Sequence, residues 1–123
     1  MKLSTGVDAV EISRIAAALE RFGARFERRV YTPRELAFCR GRVAELAARF
    51  AAKEAVSKAL GTGIRGVAWR EIEILPNRRG KPQVYLYGRA LARAADLGLT
   101  HFEISLTHTD ELAIAFVVAF GDG

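Results

Sequence analysis

The sequence predicts an α+β domain with a mainly antiparallel sheet, and three observations carry that prediction. The first half is dense in helix-start and helix-stop signals, down to the Gly61-Thr62-Gly63 stop. The second half holds short runs of alternating and β-branched residues separated by turn-forming segments. No internal repeat or linker divides the two halves, and 123 residues suit one domain, 1–123.

Lys2 to Val7 reads as a short first strand. Asp8 and Glu11 then form a D-x-x-E capping pattern ahead of a helix whose apolar positions are Val10, Ile12, Ile15 and Leu19. Gly23 ends that helix, and a short helical piece follows from Ala24 to Val30. Thr32-Pro33-Arg34-Glu35 is a clearer start, with a capping threonine, proline at the first helical position and a glutamate reaching back. After the break at Gly41, an alanine-rich helix spans about Val43 to Leu60, where alanine favours helix and permits close packing. Trp69 to Leu75 and Gln83 to Tyr87 are strands flanking the turn Pro76 to Pro82. Arg89 to Leu97 is an amphipathic helix stopped by Gly98. His101 to Thr107 and Leu112 to Phe120 form a hairpin around His108-Thr109-Asp110-Glu111. The last strand is almost continuously apolar, as expected of a strand covered on both faces, so contacts between subunits are expected there.

Composition narrows the function. Half the residues are hydrophobic and no low-complexity tract occurs. Cys39 is the only cysteine, which excludes an internal disulfide and a cysteine-rich zinc site. The N-terminus lacks the apolar run of a signal peptide, and the longest apolar run, Leu112 to Phe120, is too short to cross a bilayer. A soluble, cytoplasmic protein with no membrane association is expected. The net charge of +5 favours anionic partners without choosing among them. Aromatics do not interleave with basic residues and no zinc-finger spacing exists, so nucleic acid is not the expected partner.

Three segments could carry chemistry. Asp8, at the predicted junction of strand and helix, is open to two readings: a helix cap, or a carboxylate turned into a cleft to hold a hard cation. The block Arg49-Phe50-Ala51-Ala52-Lys53-Glu54-Ala55-Val56-Ser57-Lys58-Ala59-Leu60-Gly61-Thr62-Gly63 places Glu54 and Lys58 four apart on one helix face. They form either a solvated pair or, with Arg49, Lys53 and the exposed backbone of the glycine turn, a seat for a phosphorylated ligand and its metal. This is not a P-loop, because the G-x-x-x-x-G-K-[ST] spacing is absent. Ser105-Leu106-Thr107-His108-Thr109 puts a histidine at a strand end, either solvated or set for a phosphate contact or proton transfer.

In combination, Gly6-Val7-Asp8 with Arg14, the block from Arg49 to Gly63, Asn77…Gly80-Lys81-Pro82, and Ser105-Leu106-Thr107-His108 resemble the holo-acyl-carrier-protein synthases, a 4′-phosphopantetheinyl transferase family. The resemblance runs from about Gly6 to Ala119, and Ala9 stands where a larger aliphatic is expected. It implies an α+β trimer with sites between neighbouring subunits. It also implies that Asp8 and Glu54 hold magnesium, that Lys58 contacts the phosphates, and that Arg49, Gly61, His108 and Thr109 contact coenzyme A, His108 and Thr109 from the adjacent subunit. The reaction would be attack of a carrier-protein serine on the β-phosphorus of coenzyme A, with Glu54 and Lys58 as the catalytic pair. Arg14, Arg21, Arg25 and Arg28 would face an acidic acyl carrier protein. The rivals are a basic nucleic-acid module, which leaves Asp8 and the Glu54–Lys58 block unexplained, and a family member serving another carrier.

Overall fold

The computed structural model describes residues 1–122. Strand β1 (Lys2–Glu11) leads into helices α1 (Ile12–Phe22), α2 (Ala24–Val30), α3 (Pro33–Cys39) and the long α4 (Val43–Ala59). A short helix α5 (Gly63–Gly66) and a 3₁₀ turn at Trp69–Glu71 precede the hairpin of β2 (Ile72–Pro76) and β3 (Pro82–Leu86). Helix α6 (Gly88–Leu97) connects to β4 (His101–His108) and β5 (Leu112–Gly121). The strands form a three-stranded sheet in the order β1-β5-β4 and a separate pair β2-β3, all antiparallel. Among the described residues no helix is long and apolar enough to cross a membrane.

Where local signals are strong, the elements fall as expected. Thr32 accepts from the Glu35 amide and Glu35 reaches back to the Thr32 amide, completing the capping box of α3. Gly23, at φ +54°, separates α1 from α2.

The D-x-x-E pattern is a correction. Asp8 caps nothing: β1 continues through Glu11, and Asp8 pairs with Ala115 in the ladder with β5. Glu11 makes no side-chain cap at α1; instead the Ile12 amide donates to the Glu111 carbonyl at 2.8 Å. Ten consecutive β1–β5 pairs outweigh a local capping preference. Likewise the 3₁₀ turn takes Trp69–Glu71, so β2 starts later than predicted.

Helix α4 is the core of the molecule. It is buried almost all round, with Ala47, Ala48, Ala51, Ala52, Ala55 and Ala59 inside. One side packs on the three-stranded sheet, where Ser4 Oγ donates to the Ala59 carbonyl at 2.6 Å. A Cβ placed on Gly6 would lie 1.9 Å from the Ala55 carbonyl oxygen, so only glycine lets β1 come this near α4.

The other side of α4 meets β2. Lys53 Nζ donates to the carbonyls of Trp69 and Ile72 and pairs with Glu35 at 2.8 Å, both side chains fully buried. Arg49 Nε donates to the Ile74 carbonyl at 3.2 Å, and the Ile74 amide donates to Glu35 at 2.8 Å. One edge of β2 pairs with β3, and these charged side chains satisfy the backbone groups of the other.

The outer face of the three-stranded sheet is different. Ala113, Ala115, Val117 and Ala119 of β5 are buried beneath α4, whereas Leu112 and Phe116 point away and are exposed, as are Leu3 and Val7 of β1. Within the chain, β5 is covered on one face only.

Candidate active site

The close approach of β1 to α4 at Gly6 decides which polar groups meet. Residues paired across antiparallel strands share a face, so Gly6, Asp8 and Val10 all point toward α4. Val10 is buried there and Asp8 lies at the margin. Lys58, in the last turn of α4, reaches to β1, where its Nζ donates to Asp8 Oδ1 at 3.1 Å and to the Val7 carbonyl at 3.0 Å. Glu54, one turn earlier on the same helix face, lies close enough to Asp8 to feel its charge. Partial burial, and then the negative charge of Asp8, raise the Glu54 carboxyl above its ordinary value, while Lys58 opposes them. The result is two carboxylates and one ammonium around a solvent-open junction of strand and helix.

This set suits a hard divalent cation in one particular way. Two carboxylates at one junction, with that of Glu54 raised by burial and then by the charge of Asp8, are relieved by a cation between them. No cluster of three or more histidine, cysteine or acidic side chains that could hold a metal occurs among the described residues. Two protein carboxylates with the remaining positions left to phosphate and water is the pattern of magnesium at nucleotide phosphates. The residues fit.

The other predicted residues are distributed differently. Gly61 lies beside this group, at φ +74°, its amide bonded to the Lys58 carbonyl at 3.0 Å. The Arg49 side chain is buried against β2, stacks 4.5 Å over Phe38 and pairs with Glu45 at 3.7 Å. Lys53, grouped with Glu54 and Lys58 on the sequence alone, points into the same buried layer. The polar residues of α4 thus form two stripes on two sides, not one.

His108 and Thr109 lie at the far strand of the sheet. His108 is in register with Ala113, and Ala113 with Val10, so β5 separates His108 from β1. At the usual strand spacing this puts the His108 and Asp8 backbones on the order of 10 Å apart. His108 is exposed, with Nδ1 3.3 Å from the Thr109 carbonyl oxygen. Thr109 Oγ1 accepts from the amides of Glu111 and Leu112, shaping the β4–β5 turn. Neither residue joins the Asp8–Glu54–Lys58 group within one chain.

Arg14 and Arg21 on α1 and Arg25 and Arg28 on α2 are all exposed. Because Gly23 breaks the helix between them, the two pairs lie on separate helices rather than on one continuous side. Arg14 lies in the first turn of α1, directly after β1. Arg21 stacks 5.2 Å over the exposed ring of Phe22. Phe22, Arg25, Phe26 and Arg29 line a shallow groove of about 250 Å³. Arg29 belongs to it and Arg28 does not. Sequence reasoning also missed Arg93, whose Nε donates to the Leu60 carbonyl at 3.0 Å beside Gly61. No spacing signal marks Arg93, since only the packing of α6 brings it to the end of α4.

The family profile described as 4′-phosphopantetheinyl transferase superfamily matches residues 4–117. The chain is 51% identical to a holo-[acyl-carrier-protein] synthase of Herpetosiphon aurantiacus, over 97% of this chain and 99% of that one. It is 52% identical to one of Dehalococcoides mccartyi, over 95% and 98%. Its fold superposes on the crystal structure of the Helicobacter pylori holo-[acyl-carrier-protein] synthase in complex with coenzyme A with a TM-score of 0.86, at 31% identity, covering 94% of this chain and 99% of that one.

Proposed function

The chain belongs to the 4′-phosphopantetheinyl transferase superfamily, and on that premise we propose that it is a holo-acyl-carrier-protein synthase, one catalytic domain that moves phosphopantetheine from coenzyme A to a serine of an apo acyl carrier protein. The observation that carries the reading is the junction at Gly6, where Asp8 meets Lys58 at 3.1 Å beside Glu54.

In this reading Asp8 and Glu54 hold magnesium against the pyrophosphate of coenzyme A. When bound, the cation polarises the phosphoryl group and offsets the charge of the departing phosphate. Lys58 shifts from Asp8 to the phosphate oxygens, which its long and partly exposed side chain permits. The serine hydroxyl oxygen of the carrier forms a bond to the β-phosphorus, and the bond from that phosphorus to the bridging oxygen breaks. Adenosine 3′,5′-bisphosphate leaves, and the serine proton passes to Glu54, directly or through a water. Burial and the neighbouring Asp8 raise the Glu54 carboxyl, which favours its taking a proton.

Two surfaces complete the reading. The acidic carrier docks on α1 and α2 through Arg14, Arg21, Arg25 and Arg28, with the groove at Phe22 and Phe26 taking an apolar side chain and Arg29 at its rim. The bare apolar face at Leu3, Val7, Leu112 and Phe116 is covered by further copies in a homotrimer, which brings a neighbour's His108 and Thr109 toward coenzyme A. The enzyme works in the cytoplasm.

The deciding experiment is the intact mass of an apo carrier protein after incubation with this chain, magnesium and coenzyme A. A gain of one phosphopantetheine is the expected result. An unchanged mass, with folded enzyme and a carrier that a known synthase modifies, overturns the reading.

A further inference from the structure

Lys58 stands in the last turn of α4, where a helix is held least by its own hydrogen bonds. The final carbonyls there accept from three different segments. The amides of Thr62 and Gly61, in the glycine turn, donate to the Ser57 and Lys58 carbonyls at 3.2 and 3.0 Å. Ser4 Oγ of β1 donates to the Ala59 carbonyl, and Arg93 Nε of α6 donates to the Leu60 carbonyl at 3.0 Å. The turn that carries Lys58 is thus held from outside the helix, by residues 55 and 33 positions away from those they bind.

Arg93 works from a fixed base. Helix α6 is seated through the buried Ala90 and Ala94. Glu71 ties its start to the 3₁₀ turn, accepting from the Arg89 amide at 2.7 Å and from the Ala68 amide at 2.6 Å. A Cβ on Gly88 would come within 2.2 Å of Glu71 Oε2, so glycine is what admits the carboxylate there. From this base the half-buried Arg93 side chain reaches the end of α4, where a cation also suits the negative end of the helix.

We propose that Arg93 is a positioning residue for the transfer reaction: by holding the Leu60 carbonyl it fixes the last turn of α4, and through that turn the reach of Lys58. The inference rests on the transferase reading above and adds to it a residue that touches neither substrate nor metal. Lys58 carries its charge on a long flexible stem, so the ammonium is placed only as well as the backbone beneath it. A released turn would let the ammonium stray from the charge that grows on the departing phosphate. That loss falls in the transition state rather than in the bound ground state.

The test uses two side chains that match arginine as far as Nε. Glutamine has its amide nitrogen at that same position and keeps a donor without the charge, whereas methionine keeps the length and loses both. Arg93→Met is expected to lower kcat about tenfold, with the KM for coenzyme A within about twofold of wild type. Arg93→Gln should recover most of that loss. Added to Lys58→Met, Arg93→Met should lower single-turnover transfer no further, because both act through one group. Amide hydrogen exchange at Leu60 and Gly61 should be slow in wild type, faster in Arg93→Met and slow again in Arg93→Gln, with thermal melts checking that each variant folds. Three results refute the positioning role while the enzyme reading stands, given a wild type that transfers normally. They are an unchanged kcat in Arg93→Met, equal losses in Arg93→Met and Arg93→Gln, or a loss that adds in full to that of Lys58→Met. Exchange at free-chain rates in wild type refutes it whatever the variants do. A folded wild type that modifies no apo carrier overturns the transferase reading as well.

Discussion

Lys58 and Asp8, fifty positions apart in the chain, meet at 3.1 Å because Gly6 lets strand β1 lie directly against the backbone of helix α4. The ammonium pairs with one carboxylate oxygen of Asp8 and donates also to the Val7 carbonyl. With Glu54 one turn away, the three groups are held by two elements of the core rather than by loops, which keeps their spacing firm.

Conversion of Asp8 to Asn or Glu54 to Gln removes one of the two carboxylates proposed for magnesium. Each should lower transfer at least about 100-fold while the melting temperature stays near wild type, since neither side chain supports the core. Steady-state turnover with an apo carrier, alongside a thermal melt, checks both halves. Normal turnover by Glu54→Gln would remove that residue from the mechanism.

Gly6→Ala would place a methyl group 1.9 Å from the Ala55 carbonyl oxygen. Backbone cannot yield as a side chain can, so β1 must lift from α4. A loss of about 3 kcal/mol is expected in urea unfolding, together with reduced turnover as Asp8 moves away from Glu54. Wild-type stability would mean that the strand and helix are less tightly apposed.

Lys53 and Lys58 are close in sequence and opposite in role. Lys53→Met strands the fully buried Glu35 and should cost about 3–5 kcal/mol, with turnover of the folded fraction little changed. Lys58→Met should do the reverse, sparing stability and cutting turnover. Chemical denaturation and kcat on both variants separate them.

Phe116→Asp puts a charge on the exposed apolar face of the sheet. If copies of the chain cover that face, light scattering at micromolar concentration will show monomer in place of trimer. Transfer will fall as well, because the neighbour's His108 is withdrawn. A variant that stays trimeric would place the contact elsewhere.

Reversal of Arg14 to glutamate should raise the KM for the carrier protein about fivefold, more at low salt, as expected for a rim charge pair. The KM for coenzyme A should hold steady. Equal effects on both substrates would move Arg14 into the cofactor site.

Much of this protein is written locally. The Thr32-Pro33-Glu35 cap, the stop at Gly23 and the glycine turn after α4 each act over a few residues, where propensity and hydrogen-bonding chemistry suffice. Asp8, Glu54 and Lys58 could be named from the sequence because their surrounding motifs resemble a known family, not because spacing required them to meet. What only the tertiary structure decided depends on distant partners. Asp8 is a strand residue because β5, more than a hundred positions away, pairs with it, and no local pattern reports that partner. Arg49 and Lys53 point inward because α4 is packed on two sides, so helical periodicity alone cannot tell a ligand-facing polar stripe from one that satisfies the edge of β2. Arg93 reaches the end of α4, and Arg29 the groove at Phe22, only through the packing of short helices whose exposed arginines look alike in sequence. Side-chain type is a local property; what a side chain faces is settled by contacts between segments that the chain brings together only when it folds.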